Sequence, residues 1–127
     1  MSAHPRAPGA AAIGRLDELP PLERRVIRCL RLWCAGAGGE GRFDELMQMA
    51  ARHARRPLLA HAPDCPCAGA DECVFARFVA LAAEGAREDA ILMAVLMVRA
   101  DVACGLAGLA ETVGLGLMRG TTPRIVQ

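Results

Sequence analysis

The sequence contains no lysine and no tyrosine, and it has a single tryptophan. All 15 of its basic residues are therefore arginine. Aromatics amount to 3% of the chain, so its core must be built from Leu, Val, Ile, Met and Ala. No aromatic platform interleaves the arginines, which argues against stacking of single-stranded bases. No sign of charge dominates: the net charge is +1, and no global field steers a polyanion. Long apolar runs are missing too. The longest, Ala90 to Val98, falls far short of the roughly 20 residues a bilayer span requires. The first 15 residues lack the apolar stretch of a secretory leader, and Pro5, Pro8 and Gly9 interrupt them. These absences point to a cytoplasmic chain without a membrane segment. In that compartment thiols stay reduced, so clustered cysteines indicate metal or redox chemistry before disulfides. Period-two alternation and internal repeats are likewise missing, so neither a half-buried sheet nor a solenoid is expected.

What is present is globular: 127 residues, 54% hydrophobic and 23% charged. That length corresponds to one domain with a core of useful size. The spacing predicts an all-α, single-domain bundle of about five helices carrying a Cys-rich metal-binding loop. Residues 1–15 read as a loose tail, 16–120 as the helical domain and 121–127 as a C-terminal tail.

The first helix is expected from about Pro20 to Ala35. Pro21 suits a first turn, Leu22, Val26, Leu30 and Trp33 form an apolar stripe, and Gly36 ends it. Arg24, Arg28 and Arg31 line another side. The second should run from about Arg42 to Arg55 on a face of Phe43, Leu46, Met47 and Ala50, stopped by Pro57. Asp71 is a candidate N-cap for a third helix reaching Glu84, with Phe75, Phe78, Val79 and Ala82 inward. A fourth, from Ala86 to Val98, is apolar almost all round, as befits a central, buried helix. A fifth, from Asp101 to Met118, carries Leu106, Leu109, Val113 and Leu117. Its Gly105 and Gly108 each cost about 1 kcal/mol relative to Ala. Close approach of another backbone would explain them. Met47, Met49, Met93, Met97 and Met118 read as core positions.

The chemistry concentrates in one segment, His61-Ala-Pro-Asp-Cys65-Pro-Cys67-Ala-Gly-Ala-Asp-Glu-Cys73. Thiolate and imidazole are the usual ligands of Zn²⁺, and four such groups make a closed tetrahedral site. His61, Cys65, Cys67 and Cys73 supply that set. Pro66 biases Cys65 toward an extended backbone, and Gly69 permits a turn. Cys73 falls in the first turn of the third helix, where the dipole favours a thiolate. His53 or Asp64 could replace His61 as the fourth ligand. An iron–sulfur cluster is the second metal choice, and its fourth cysteine would have to come from Cys29, Cys34 or Cys104. Burial statistics otherwise make those three inert buried thiols. Three thiolates leave zinc a poor Lewis acid, so the site reads as structural. Glu72 is the only nearby general base for a zinc hydrolase, and capping accounts for Asp71 and Glu72 without catalysis.

The functional expectation is thus a binding or regulatory module with structural zinc, acting through a protein partner or as a homodimer, with a small metal-dependent enzyme left open beside it. The apolar fourth helix and the glycine-bearing fifth would offer the interface. The alternatives are a thiol redox sensor using Cys65, Cys67 and Cys73, and a nucleic-acid-binding regulator using the Arg-rich N-terminal half. Residues 1–63 carry ten Arg against six acids, and residues 64–127 carry five against eight. Solvated helix faces explain the Arg rows 24, 25, 28, 31 and 52, 55, 56. The connection from Ala35 to Gly41 is also long for a helix-turn-helix, which disfavours nucleic acid.

Overall fold

A computed structural model describes residues 8–38 and 41–120. Five helices dominate: α1 Pro21–Cys34, α2 Gly41–Arg52, α3 Ala70–Ala83, α4 Arg87–Met97 and α5 Ala100–Gly120. Their positions follow the local signals. Pro21 occupies the first turn of α1. The left-handed glycines Gly36, Gly41 and Gly85 stand at the connections, where L side chains would be strained.

Helix α3 is the hub and packs against α1, α4 and α5. Phe75, Phe78 and Val79 are fully buried there with Val26, Ile27 and Leu30 of α1, Leu46 of α2 and Leu106 of α5. Phe43 meets Phe75 edge-on at 6.5 Å, and the Trp33 indole donates a 2.8 Å hydrogen bond to Asp44, so α1, α2 and α3 are tied at one end.

The central, buried place expected for α4 belongs to α3. Helix α4 lies at the edge: Ala90, Ala94 and Met97 face inward, while Leu92 and Leu96 stay 64% and 71% exposed. Apolar composition all round a helix does not say how many neighbours will cover it. Short α4 receives them on one side only. The close approach expected at Gly105 and Gly108 occurs elsewhere on α5. A Cβ at either of those positions would meet nothing within 4 Å, whereas one at Gly114 would lie 2.7 Å from Ala83 Cβ. Gly114 is what lets α5 seat against α3. Helix α5 is long and apolar enough, by length and composition alone, to cross a membrane, and it packs here against the other four helices.

Two short strands were not expected. β1 (Ala12–Arg15) pairs antiparallel with β2 (Cys67–Gly69), matching Ala12 with Gly69, Gly14 with Ala68 and Arg15 with Cys67, with an irregularity between Ala12 and Gly14. The assigned N-terminal tail therefore divides. Residues 1–7 lie outside the described residues, as does the C-terminal tail at 121–127. Pro8–Ala10 forms a 3₁₀ turn leading into β1. The backbone extends this union on both sides: Leu16 N–H donates to the Pro66 carbonyl and Ala70 N–H to that of Ala11. Period-two alternation could not reveal β1, because all four of its residues are exposed. It forms because its backbone finds the Cys-rich segment, a partner distant in sequence.

Candidate functional site: a thiol–imidazole pair over a buried ion pair

The Cys-rich segment is built on two charged side chains inside the protein. Arg31 is 1% exposed and Glu72 0%. Arg31 lies on the inner face of α1, one turn after Ile27. Glu72 occupies the third position of α3. The guanidinium grips the carboxylate with both branches, Nε to Oε2 at 2.7 Å and Nη2 to Oε1 at 2.9 Å. Its Nη1 and Nη2 also donate to the carbonyls of Cys65 and Cys67, at 2.7 and 2.6 Å. Glu72 in turn receives the backbone N–H groups of His61 and Gly69, both at 2.9 Å. Burial would push the Glu72 carboxyl up. The hydrogen bonds from Arg31, those from Gly69 and His61, and the Arg31 charge outweigh it and hold the group below its ordinary value.

This pair revises the reading of two residues. Arg31 is not part of a solvated row. Glu72, with both oxygens committed, has no role as a general base. Asp71 does not cap α3 either; Gly69 stands at that position, and its N–H bonds Glu72. The Asp71 carboxylate instead accepts from Leu59 N–H and from both ends of the Arg56 guanidinium, at 2.7 to 2.9 Å. Burial opposes its ionisation, while Arg56 and Leu59 prevail and keep its pKa below the usual value. Gly9 packs so closely on Asp71 that a Cβ there would collide with the carboxylate.

His61 is fixed from two sides. Its Nε2 lies 2.7 Å from the Ala10 carbonyl oxygen, which can only accept, so Nε2 carries the proton. The lone pair of Nδ1 then faces Cys65 Sγ at 3.5 Å. Gly69 lies under the ring, and a Cβ there would come within 2.7 Å of Nε2. The N-terminal turn thus sets the tautomer that directs a proton acceptor at a thiol. A thiol in this arrangement can pass its proton to Nδ1, and the Ala10 carbonyl supports the imidazolium that results.

Of the four expected ligands, the fold places His61 beside Cys65. Cys67 lies in β2 and Cys73 in α3, both half-buried. Among the described residues, no three His, Cys, Asp or Glu side chains gather into a group able to hold a metal ion. Cys73 sits in surroundings opposite to those expected at a helix start. Burial, then the carboxylates of Glu72 and Glu23, push its thiol pKa up, so it stays protonated. The dipole loses here to desolvation and adjacent negative charge. His53 is engaged elsewhere, its Nδ1 accepting from Arg99 at 2.9 Å. Cys34 and Cys104 are exposed rather than buried, and Cys29 is half-buried with its pKa raised by burial and slightly offset by Arg25.

A shallow crevice of about 410 Å³ opens beside the pair, bordered by Arg15, Asp17, Arg28, Asp64, Cys65 and Pro66. A second, more apolar groove of about 430 Å³ runs between Trp33, Cys34, Met47, Ala50 and Leu58. Comparison with known protein families, curated proteins and solved structures returns no match for the chain.

Proposed function

We propose that the protein is a thiol-based redox module in which Cys65 is the reactive group and His61 its proton acceptor. The observation that carries this reading is the 3.5 Å approach of Cys65 Sγ to His61 Nδ1, with the proton of the ring committed to Ala10. Cys65 is only half-buried and borders an open crevice, so an oxidant or disulfide can reach it. Cys73, protonated and packed, is a bystander. The test is competitive alkylation of the reduced full chain with limiting iodoacetamide, mapped by peptide mass. Cys65 should react first, and His61→Gln should slow it by about tenfold, because a thiol without a base beside it is only a few per cent thiolate at neutral pH. Gly69→Ala, which crowds the ring from below, should slow it in the same direction while circular dichroism shows the helices intact. Equal rates at Cys65 in the wild type and both variants would reject the reading.

A second reading is structural zinc in a cytoplasmic regulatory module, on His61, Cys65, Cys67 and Cys73. It is favoured by the same contact, since imidazole and thiol already stand together. Two of the four donors would need to move, and Cys73 would have to shed its proton. About one zinc per chain by elemental analysis, with thiols reacting only after chelation, would favour it over the redox reading.

A further inference from the structure

The crevice beside Cys65 also carries a charge pattern, and it specifies what the thiol meets. Four charged residues border it: Arg15, Asp17, Arg28 and Asp64. Arg15 and Asp17 neutralise each other at 3.3 Å. That leaves one cation and one anion. Among the described residues, neither the Arg28 guanidinium nor the Asp64 carboxylate has a hydrogen-bond or ion-pair partner. Arg28 lies one turn before Arg31 on α1. Arg31 itself holds the Cys65 carbonyl, so the Arg28 side of the helix runs alongside the loop. Asp64 is the chain neighbour of Cys65. A reactive thiol thus lies in one crevice with a guanidinium and a carboxylate that have no partner among the described residues.

From this arrangement we infer that Cys65 exchanges with disulfides of amino-acid-type thiols, which carry both a carboxylate and an ammonium group. Arg28 would take the carboxylate and Asp64 the ammonium. This rests on the Cys65–His61 reading above and adds the substrate class to it. In the step, the Cys65 proton passes to His61 Nδ1 and Sγ attacks one sulfur of the disulfide. The S–S bond breaks and a Cys65 mixed disulfide forms. The departing thiolate takes the proton from His61 and leaves as a free thiol. One disulfide is consumed and one formed, so no further oxidant is needed, and excess thiol reverses the reaction.

The test uses two probes on the full reduced chain: cystine, which is zwitterionic with no net charge, and bis(2-hydroxyethyl) disulfide, which is uncharged. Adduct formation at Cys65 is followed by intact mass and peptide mapping. Arg28→Gln and Asp64→Asn should each slow the cystine adduct by about two- to fivefold, the scale of a single exposed ion pair. Both should leave the uncharged probe unchanged, and added salt should reproduce the loss. Equal effects on both probes, no effect on either, or adducts confined to the exposed Cys34 and Cys104 would overturn the inference. The uncharged probe separates the two claims. If it modifies Cys65 in a His61-dependent manner while the charge variants do nothing, the substrate class fails and the thiol reading stands. If His61→Gln leaves that rate unchanged, the thiol reading fails as well.

Discussion

Replacing Glu72 by glutamine removes one charge and almost no volume, yet the structure makes it a severe change. Each carboxylate oxygen accepts two N–H groups: Oε2 from Arg31 Nε and His61 N, and Oε1 from Arg31 Nη2 and Gly69 N. A glutamine has one acceptor oxygen and one NH₂ group. Whichever way the amide is turned, its NH₂ faces two donors. The buried Arg31 also loses its counter-charge. Breaking a buried pair from one side costs about 3–5 kcal/mol, and the donor-on-donor conflict places Glu72→Gln toward the upper end. Against a total stability of about 5–15 kcal/mol, that lowers Tm by roughly 10–20 °C at the per-kcal shift expected for a chain of this size. Urea unfolding followed by circular dichroism at 222 nm measures it directly. The double replacement Arg31→Met with Glu72→Met is a sharper probe. An isolated buried ion pair can often be exchanged for apolar residues without loss. Here the exchange also strands the carbonyls of Cys65 and Cys67 and the N–H groups of His61 and Gly69, so stability should not recover. A loss under about 1 kcal/mol for Glu72→Gln, or full recovery in the double variant, would refute the claim that this pair organises the loop.

Two further outcomes follow from the same physical picture. Asp71 and Glu72 both titrate below their ordinary values in the folded chain, so as pH falls the unfolded chain takes up protons first. Their contribution is complete above the normal carboxylate range near pH 4 and is lost as pH drops through the lower folded values; the urea midpoint should fall below about pH 4.5, and a midpoint constant from pH 6 to 3 would contradict it. On α5, Gly114→Ala should destabilise by about 1–3 kcal/mol through overpacking against Ala83 and Val79. Gly105→Ala and Gly108→Ala, with open space around them, should instead raise thermal stability by up to about 1 kcal/mol each, and the opposite order in thermal melts would show that α5 seats on α3 differently.

The local signals in the chain place all five helices; α2 ends at Arg52 rather than near Arg55, and α3 is capped by Gly69 rather than Asp71. Proline at the start of α1, glycines at the connections and apolar residues at helical spacing act within a few residues, so they are readable in one dimension. The inward faces of α1, α2 and α3 follow from the same spacing. The grouping of reactive residues between His61 and Cys73 was visible for the same reason: they are neighbours in sequence. Tertiary structure decided everything that depended on which distant groups meet. Arg31 reads in sequence as one of an arginine row beside the apolar stripe of α1, and only the arrival of Glu72 and two loop carbonyls makes its burial tolerable. The N-terminal segment reads as a loose tail until its backbone finds β2. Once there, Ala10 fixes the tautomer of His61 and turns a histidine near a cysteine into a directed proton acceptor. Cys73 shows the converse. Its place at a helix start suggested a thiolate, and burial beside Glu72 and Glu23 keeps it protonated. Desolvation and hydrogen-bond direction depend on the full set of neighbours, and those neighbours are assembled only by the fold.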